Sequence, residues 1–266
     1  MSQQAGPPVR YDVSNGVGTI TLDRPAAMNA LDTTTKVALR EAVLAAADDA
    51  SVRCVLLTGT GRAFCVGQDL REHVALLQAG DESLWRTVPE HYNPIVEALA
   101  TMPKPVVAAV NGVAAGAGAS LAMAADLRIV AASAGFNLAF AGVALSADSG
   151  ASWTLPRIVG WGRARDLLMR PRTVGAEEAL QIGLATEVVP DAELAHRAHA
   201  VAVQLAAGPT LAFAALRAVL AHSATHDLPA TLPVEAEHMA ATGATNDHRE
   251  AVAAFLARRP PLFTGT

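Results

Sequence analysis

Val106-Val107-Ala108-Ala109-Val110-Asn111-Gly112-Val113-Ala114-Ala115-Gly116-Ala117-Gly118 begins with five apolar residues and runs straight into three glycines. Five apolar residues without alternation are the pattern of a strand buried on both faces. The glycine turn that follows leaves backbone N–H groups free to point at a ligand, and a helix starting there adds the positive end of its dipole. A second junction of the same kind lies upstream, where Val55-Leu56-Leu57-Thr58-Gly59 leads to Ala63-Phe64-Cys65-Val66-Gly67-Gln68-Asp69-Leu70. Two converging N–H groups would make an oxyanion hole, and in a measured case losing one such donor costs about 3–4 kcal/mol of transition-state stabilisation. Glycines that merely permit tight turns would leave the same trace, so spacing alone keeps both readings open.

Around these junctions the chain reads as α/β. Apolar runs at 9–13 and 17–22 flank Asn15-Gly16, a two-residue hairpin signal. Asp32 can cap a helix running to about residue 47, with Val37, Val43 and Leu44 on one stripe. Further strands are expected at 52–57 and 127–131, and a helix at 94–100 that stops near Pro103 and Pro105. From Ser149 onward the pattern is mostly helical, with helices at 162–169, 176–182, 191–207, 210–221 and 245–257. Strands therefore gather in the first half, and no internal sequence repeat is visible.

Composition removes several function classes. The 266 residues carry a net charge of −5 with 17% charged residues, against about 25% in ordinary domains. No basic field exists for a nucleic-acid backbone. Hydrophobic residues reach 52% with only 4% aromatic, which suits closely packed helices and strands and excludes a disordered chain. The uncharged runs 105–125 and 129–147 contain glycines and polar residues and little Leu or Ile, so they read as buried strands and helices rather than membrane spans. Residues 1–10 hold two prolines and no apolar stretch, unlike a cleaved leader. Cys54 and Cys65 give neither a disulfide framework nor metal spacing, which favours a reducing, cytoplasmic compartment.

Familiar catalytic motifs fail here. A dinucleotide fingerprint beginning at Gly116 and Gly118 meets Leu121 where its third glycine belongs. Gly118-Ala119-Ser120-Leu121-Ala122 approaches a nucleophile elbow, but its strand ends near Val110, too early to deliver the serine. The eight histidines form no His-Glu-x-x-His pattern, so no metal is expected.

Taken in order, Arg24-Pro25 with Asn29-Ala30-Leu31, the Thr58-Gly59 to Leu70 segment, and Pro103-Lys104-Pro105-Val106 through Asp126 resemble the crotonase family, the enoyl-CoA hydratases and isomerases. Leu155-Pro156-Arg157, Ala176-Glu177-Glu178-Ala179, Gly183-Leu184-Ala185 and Arg258-Arg259-Pro260 continue the resemblance across nearly the whole chain. It implies a spiral of ββα units over residues 1–205 that binds an acyl-CoA thioester. It also implies a helical C-terminal region over 206–266 that assembles homotrimers or dimers of trimers. No cofactor is expected beyond the CoA carried by the substrate, and neither nucleic acid nor membrane is an expected partner. By position the oxyanion N–H groups fall on Val66 and Ala117, and the acyl-CoA lining falls on Ala63, Phe64, Gly67, Gln68, Asp69, Leu70 and Phe140. Arg24, Arg62, Arg71 and Arg258 match places where the family sets cations near the CoA phosphates.

The resemblance also exposes a departure. Hydration in this family uses two glutamates, and the matching positions here are Ser120 and Phe140. The carboxylate left in the neighbourhood is Asp148, in Ala147-Asp148-Ser149-Gly150, a segment similar to that of enoyl-CoA isomerases and ring-epoxyphenylacetyl-CoA isomerases. Asp148 also fits a helix N-cap, and both roles can coexist. An isomerase needs one carboxylate, which removes a proton at C2 and returns it at C4. Phe140, Val143, Leu145 and Trp153 are the apolar neighbours expected to raise its pKa by desolvation. A low-activity hydratase, a dehalogenase-like hydrolase with Asp148 as nucleophile, and a non-catalytic acyl-CoA binder are the alternatives.

Overall fold

In the computed structural model, which describes residues 6–266, strands β1 (Val9–Ser14) and β2 (Val17–Leu22) pair antiparallel across the Asn15-Gly16 turn. Residues 1–5 of the stretch read for a leader lie outside the described residues. Helix α1 (Thr33–Asp48) is capped by Asp32, whose carboxylate accepts the Thr35 N–H at 2.8 Å. Its buried stripe is Thr35, Lys36, Leu39, Ala42, Val43 and Ala46, while Leu44 is exposed and Val37 half-buried. The expected stripe shares only Val43 with it, because residues one position off the packed face turn about 100° away.

A strand–strand–helix unit then recurs. It runs β3 (Cys54–Gly59), β4 (Ala63–Cys65) and α2 (Leu70–Ala79). After α3 (Ser83–Thr87) and α4 (Asn93–Thr101), it returns as β5 (Val106–Val110), β6 (Val113–Ala115) and α5 (Ala117–Met123). The third pass is β7 (Leu127–Ala131), β8 (Gly135–Asn137) and α6 (Ala151–Val159). In these units the first, longer strand enters a six-stranded sheet, and the second, of three residues, enters a four-stranded one. This is the expected ββα spiral, with a repeat carried by topology and invisible as sequence identity.

The chain continues through α7 (Trp161–Met169), β9 (Thr173–Gly175), α8 (Ala176–Gln181), β10 (Glu187–Val189) and α9 (Leu194–Ala206). It closes with α10 (Thr210–Ser223), α11 (Leu228–Gly243) and α12 (Asn246–Leu256). The six-stranded sheet has the order β1-β2-β3-β5-β7-β10, parallel beyond the first hairpin; the other is β4-β6-β8-β9, with β9 antiparallel. Strand β5 is buried throughout, as its unbroken apolar run requires.

Three expectations are corrected. Strands do not end with the first half, since β9 and β10 extend both sheets from the second. The strand expected at 52–57 runs from Cys54 to Gly59. Helix α11 fills the stretch between the helices expected at 210–221 and 245–257, where none was expected; Pro229 sits in its first turn, where its missing N–H has no acceptor to lose, and Asp227 caps the helix at Ala230. The uncharged runs 105–125 and 129–147 are used up in short strands, turns and helices. Among the described residues, no single helix is long and apolar enough to cross a membrane.

Candidate active site

Strands β4 and β6 are parallel neighbours, so the turns that follow them leave the same edge of the four-stranded sheet. The turns come together because two positions carry no side chain. A β-carbon on Gly67, which has φ +84°, would lie 2.9 Å from the Ala115 carbonyl oxygen and 3.2 Å from the Ala117 nitrogen. One on Gly118 would strike the carbonyl of Cys65. Val66, Gly67 and Ala117 therefore share one small region of backbone. Ala117 is the first residue of α5, so its N–H has no helical carbonyl to bond. The Val66 N–H rests on the Met28 carbonyl at 3.3 Å, a long and weak contact.

Beneath this junction lies a buried polar network. The Gln68 Oε1 accepts the Tyr92 hydroxyl at 2.5 Å and the Lys36 ammonium at 3.3 Å. Lys36 is 2% exposed, also donates to Thr87 Oγ1 at 2.7 Å, and pairs with Glu72 at 3.5 Å. Burial lowers its pKa and the Glu72 carboxylate opposes that shift. Gln68, expected to line the acyl-CoA site, is half-buried and spends its amide oxygen on Tyr92 and Lys36.

Asp148 precedes α6 and is half-buried. Burial pushes its carboxyl pKa above the ordinary value, while the Ser149 hydroxyl, donating to Oδ1 at 2.9 Å, works against the rise. It does not cap the helix: Gly150 holds the cap position, without a side-chain bond. The expected desolvating residues are only partly right. Phe140 is buried, but Val143, Leu145 and Trp153 are exposed, and Trp153 stacks under the Arg157 guanidinium at 4.2 Å. Tyr92 stands close enough for the Asp148 charge, after burial, to help hold the phenol proton on.

Ser120 is fully buried inside α5, where its hydroxyl donates to the Gly116 carbonyl at 3.2 Å; it neither resembles a base nor reaches solvent as a nucleophile. Ala63 and Phe64 are core residues of β4, whereas Leu70, at the start of α2, is exposed. Asp69 caps α2 through the N–H groups of Arg71 and Glu72, at 3.0 and 3.4 Å. Burial alone would raise its pKa, but those N–H groups and Arg24 together hold it below the ordinary value. Arg24 is consumed by this clamp: its guanidinium meets Asp32 at 2.9 Å, Asp69 at 3.2 Å and the Ala30 carbonyl at 2.5 Å. A cation between two carboxylates has little charge left for a phosphate. Arg62 and Arg71 are exposed, as is Arg258 in the left-handed turn after α12.

Both cysteines are free and buried, with thiols pushed up to about 12 by burial, so they are unreactive. The Cys65 sulfur accepts the Gly67 N–H at 3.4 Å and helps to shape the turn. A cleft of about 410 Å³ lies elsewhere, between α9 and the sheet face bearing Thr19, Thr21 and Thr58. There the Thr58 and Thr60 hydroxyls are already bonded to Ala109 and Asp23. Sequence reading missed Lys36, Thr87 and Tyr92. A lysine on an otherwise buried helix stripe, and prolines at 89 and 94 bracketing a tyrosine, were the signals available.

The enoyl-CoA hydratase/isomerase family model matches residues 12–266. The "Probable enoyl-CoA hydratase" of Rhodobacter capsulatus is 45% identical over 257 residues, covering 97% of this chain and 98% of its own. The 1,2-epoxyphenylacetyl-CoA isomerase of Escherichia coli is 41% identical over 253 residues, covering 95% and 97%. A crystal structure of a Mycobacterium abscessus protein of the enoyl-CoA hydratase/isomerase type superposes with a TM-score of 0.94 at 45% identity, covering 97% of this chain and all of that one. Relatives named for hydration and for isomerisation are thus similarly near, while fold and sequence agree over almost the full length. This chain belongs to the enoyl-CoA hydratase/isomerase, or crotonase, family.

Proposed function

We propose that this enzyme moves a double bond within an enoyl-CoA thioester, with Asp148 as the proton shuttle. One observation carries the reading: Asp148, just before α6, is a half-buried, desolvated carboxylate, while the positions of the family's two glutamates hold a sealed serine and a phenylalanine. The thioester oxygen accepts hydrogen bonds from the Ala117 N–H and from the Val66 N–H, replacing the weak contact of the latter to Met28. Asp148 takes a proton from C2, and the C–H electron pair spreads over C2–C4 and the thioester oxygen as a dienolate. The two amides stabilise that oxygen. The protonated carboxyl then delivers the proton to C4, the 3-enoyl ester becomes the 2-enoyl ester, and Asp148 is again ionised. Burial makes the carboxylate a stronger base than free aspartate, nearer to what proton abstraction at neutral pH needs. Phe140, buried where hydration would need an acid, has no proton to deliver to the α-carbon.

A panel of CoA thioesters assayed together for isomerisation, hydration and halide release tests this. A 3-enoyl-CoA should be converted to its 2-enoyl isomer, with hydration of the same product at least about 10²-fold slower for want of its acid–base pair. Efficient hydration or halide release would overturn the reading. A dehalogenase-like route needs a histidine beside Asp148, and among the described residues the side chain hydrogen-bonded to Asp148 is Ser149.

The last three helices carry the proposed assembly surface. Phe255, Leu256, Met239 and Leu220 are 80%, 77%, 73% and 68% exposed in the single chain, a concentration of apolar side chains that marks an interaction face. Light scattering should give a particle of three or six chains, and Phe255→Asp should shift it toward monomer. A monomeric wild type would refute the assembly.

A further inference from the structure

Between α3 and α4 the helix widens into a π turn, Val88–Tyr92, a feature that often accompanies functional sites. A proline accounts for it. Pro94 cannot donate to the Glu90 carbonyl, which instead accepts the Arg40 guanidinium at 2.9 Å, and the Asn93 N–H reaches back five residues to Val88. The inserted residue coincides with an inward-facing Tyr92, 1% exposed. Its hydroxyl donates to Gln68 Oε1 at 2.5 Å, and Gln68 directly follows Gly67 of the oxyanion turn. Val96, four residues on and on the same helix face, abuts the Asp148 segment: a β-carbon on Gly150 would come within 3.1 Å of its Cγ1. Tyr92 and Val96 thus put on one helix face a contact to the oxyanion turn and a contact to the Asp148 segment.

We infer that Tyr92 is a positioning residue for the isomerisation, tying the oxyanion turn to Asp148 through a hydroxyl whose proton is held by Gln68. This rests on the reading of Asp148 as proton shuttle. With its proton committed, the phenol oxygen has only lone pairs to offer on the side of the carboxylate. Those lone pairs disfavour the ionised form and reinforce the effect of burial. Lys36, donating to the same Gln68 oxygen, keeps that acceptor in place.

The test measures kcat, KM and the pH profile on 3-hexenoyl-CoA for wild type, Tyr92→Phe, Gln68→Met and the double variant, with Asp148→Asn alongside. Tyr92→Phe should lower kcat about 10–100-fold through loss of alignment while KM stays within about threefold. The acidic limb of its kcat profile should move to lower pH, a displacement that mere loosening of the fold would not produce. Gln68→Met frees the phenol proton to bond the carboxylate, so its acidic limb should also fall, and the double variant should be no worse than the poorer single one. An unchanged kcat and limb in Tyr92→Phe, or additive effects in the double variant, would overturn the inference. Should Tyr92→Phe not fold, an unmoved limb in Gln68→Met overturns it alone. Undiminished turnover by Asp148→Asn would instead remove the reading beneath it, whereas an inactive Asp148→Asn with an unaltered Tyr92→Phe removes only the role of Tyr92.

Discussion

Asp148→Asn is expected to slow isomerisation of a 3-enoyl-CoA by roughly 10²–10⁴-fold and, at neutral pH, to make the protein more stable. Both effects have one cause. Burial raises the carboxyl pKa above its ordinary value of 3.8, so the folded chain holds that proton more tightly than the unfolded chain does. Below the unfolded value the group is protonated in both states and has no effect. As pH rises through the raised folded value, ionisation increasingly favours the unfolded state, and at neutral pH the whole penalty is present. Asparagine keeps the shape and an oxygen for the Ser149 hydroxyl, and it never ionises. Thermal melts of both proteins between pH 3 and 8 should therefore coincide at the acid end and separate in favour of the variant as pH rises. A variant that turns over normally ends the catalytic proposal. One that is less stable than wild type at pH 7 shows that the carboxylate is not the desolvated group described.

Gly118→Ala should be the most damaging single methyl in the chain. The added carbon meets the backbone carbonyl of Cys65, which belongs to β4 and cannot rotate away as a side chain would. Overpacking of this kind costs about 1–3 kcal/mol, and more where the neighbour is fixed. Relief can come only by moving α5 away from β4, which separates the Val66 and Ala117 N–H groups. Urea denaturation should show the loss of stability, and acyl-CoA binding should weaken even under conditions where the variant is folded. Gly162→Ala is the control: nothing lies within 4 Å of its β-carbon, and it sits in α7. That change should be neutral or stabilise by up to about 1 kcal/mol. Similar losses in the two variants would contradict the close approach argued for Gly118.

Much of the architecture was legible in residue order. Val106–Val110 is apolar at every position, and a strand of that kind has to lie in the middle of a sheet covered on both sides. The glycines after it and after Cys65 marked the two turns correctly. The three-residue strands β4, β6, β8 and β9 were not legible, because so few residues show no period and are defined only by the partner they meet. Helix α11 was not expected either, and it carries Pro229 in its first turn and Pro233 inside it, so its helicity is decided by context rather than by residue type.

The candidate site divides along the same line. Its backbone donors, its missing glutamates and its lone aspartate can all be read from identity and spacing, since they concern which groups the chain possesses. What those groups do to one another is a matter of tertiary neighbours. Arg24 counted as a free cation until Asp32 and Asp69 closed on it, and Gln68 as a lining residue until Lys36 and Tyr92 took its oxygen. The sequence alone determined the family, the α/β spiral and the absence of the family's two glutamates from their positions. Only the folded structure decided which charges remain available and which carboxylate is partly desolvated, because pairing and desolvation arise between residues far apart in the chain, and no local pattern records them.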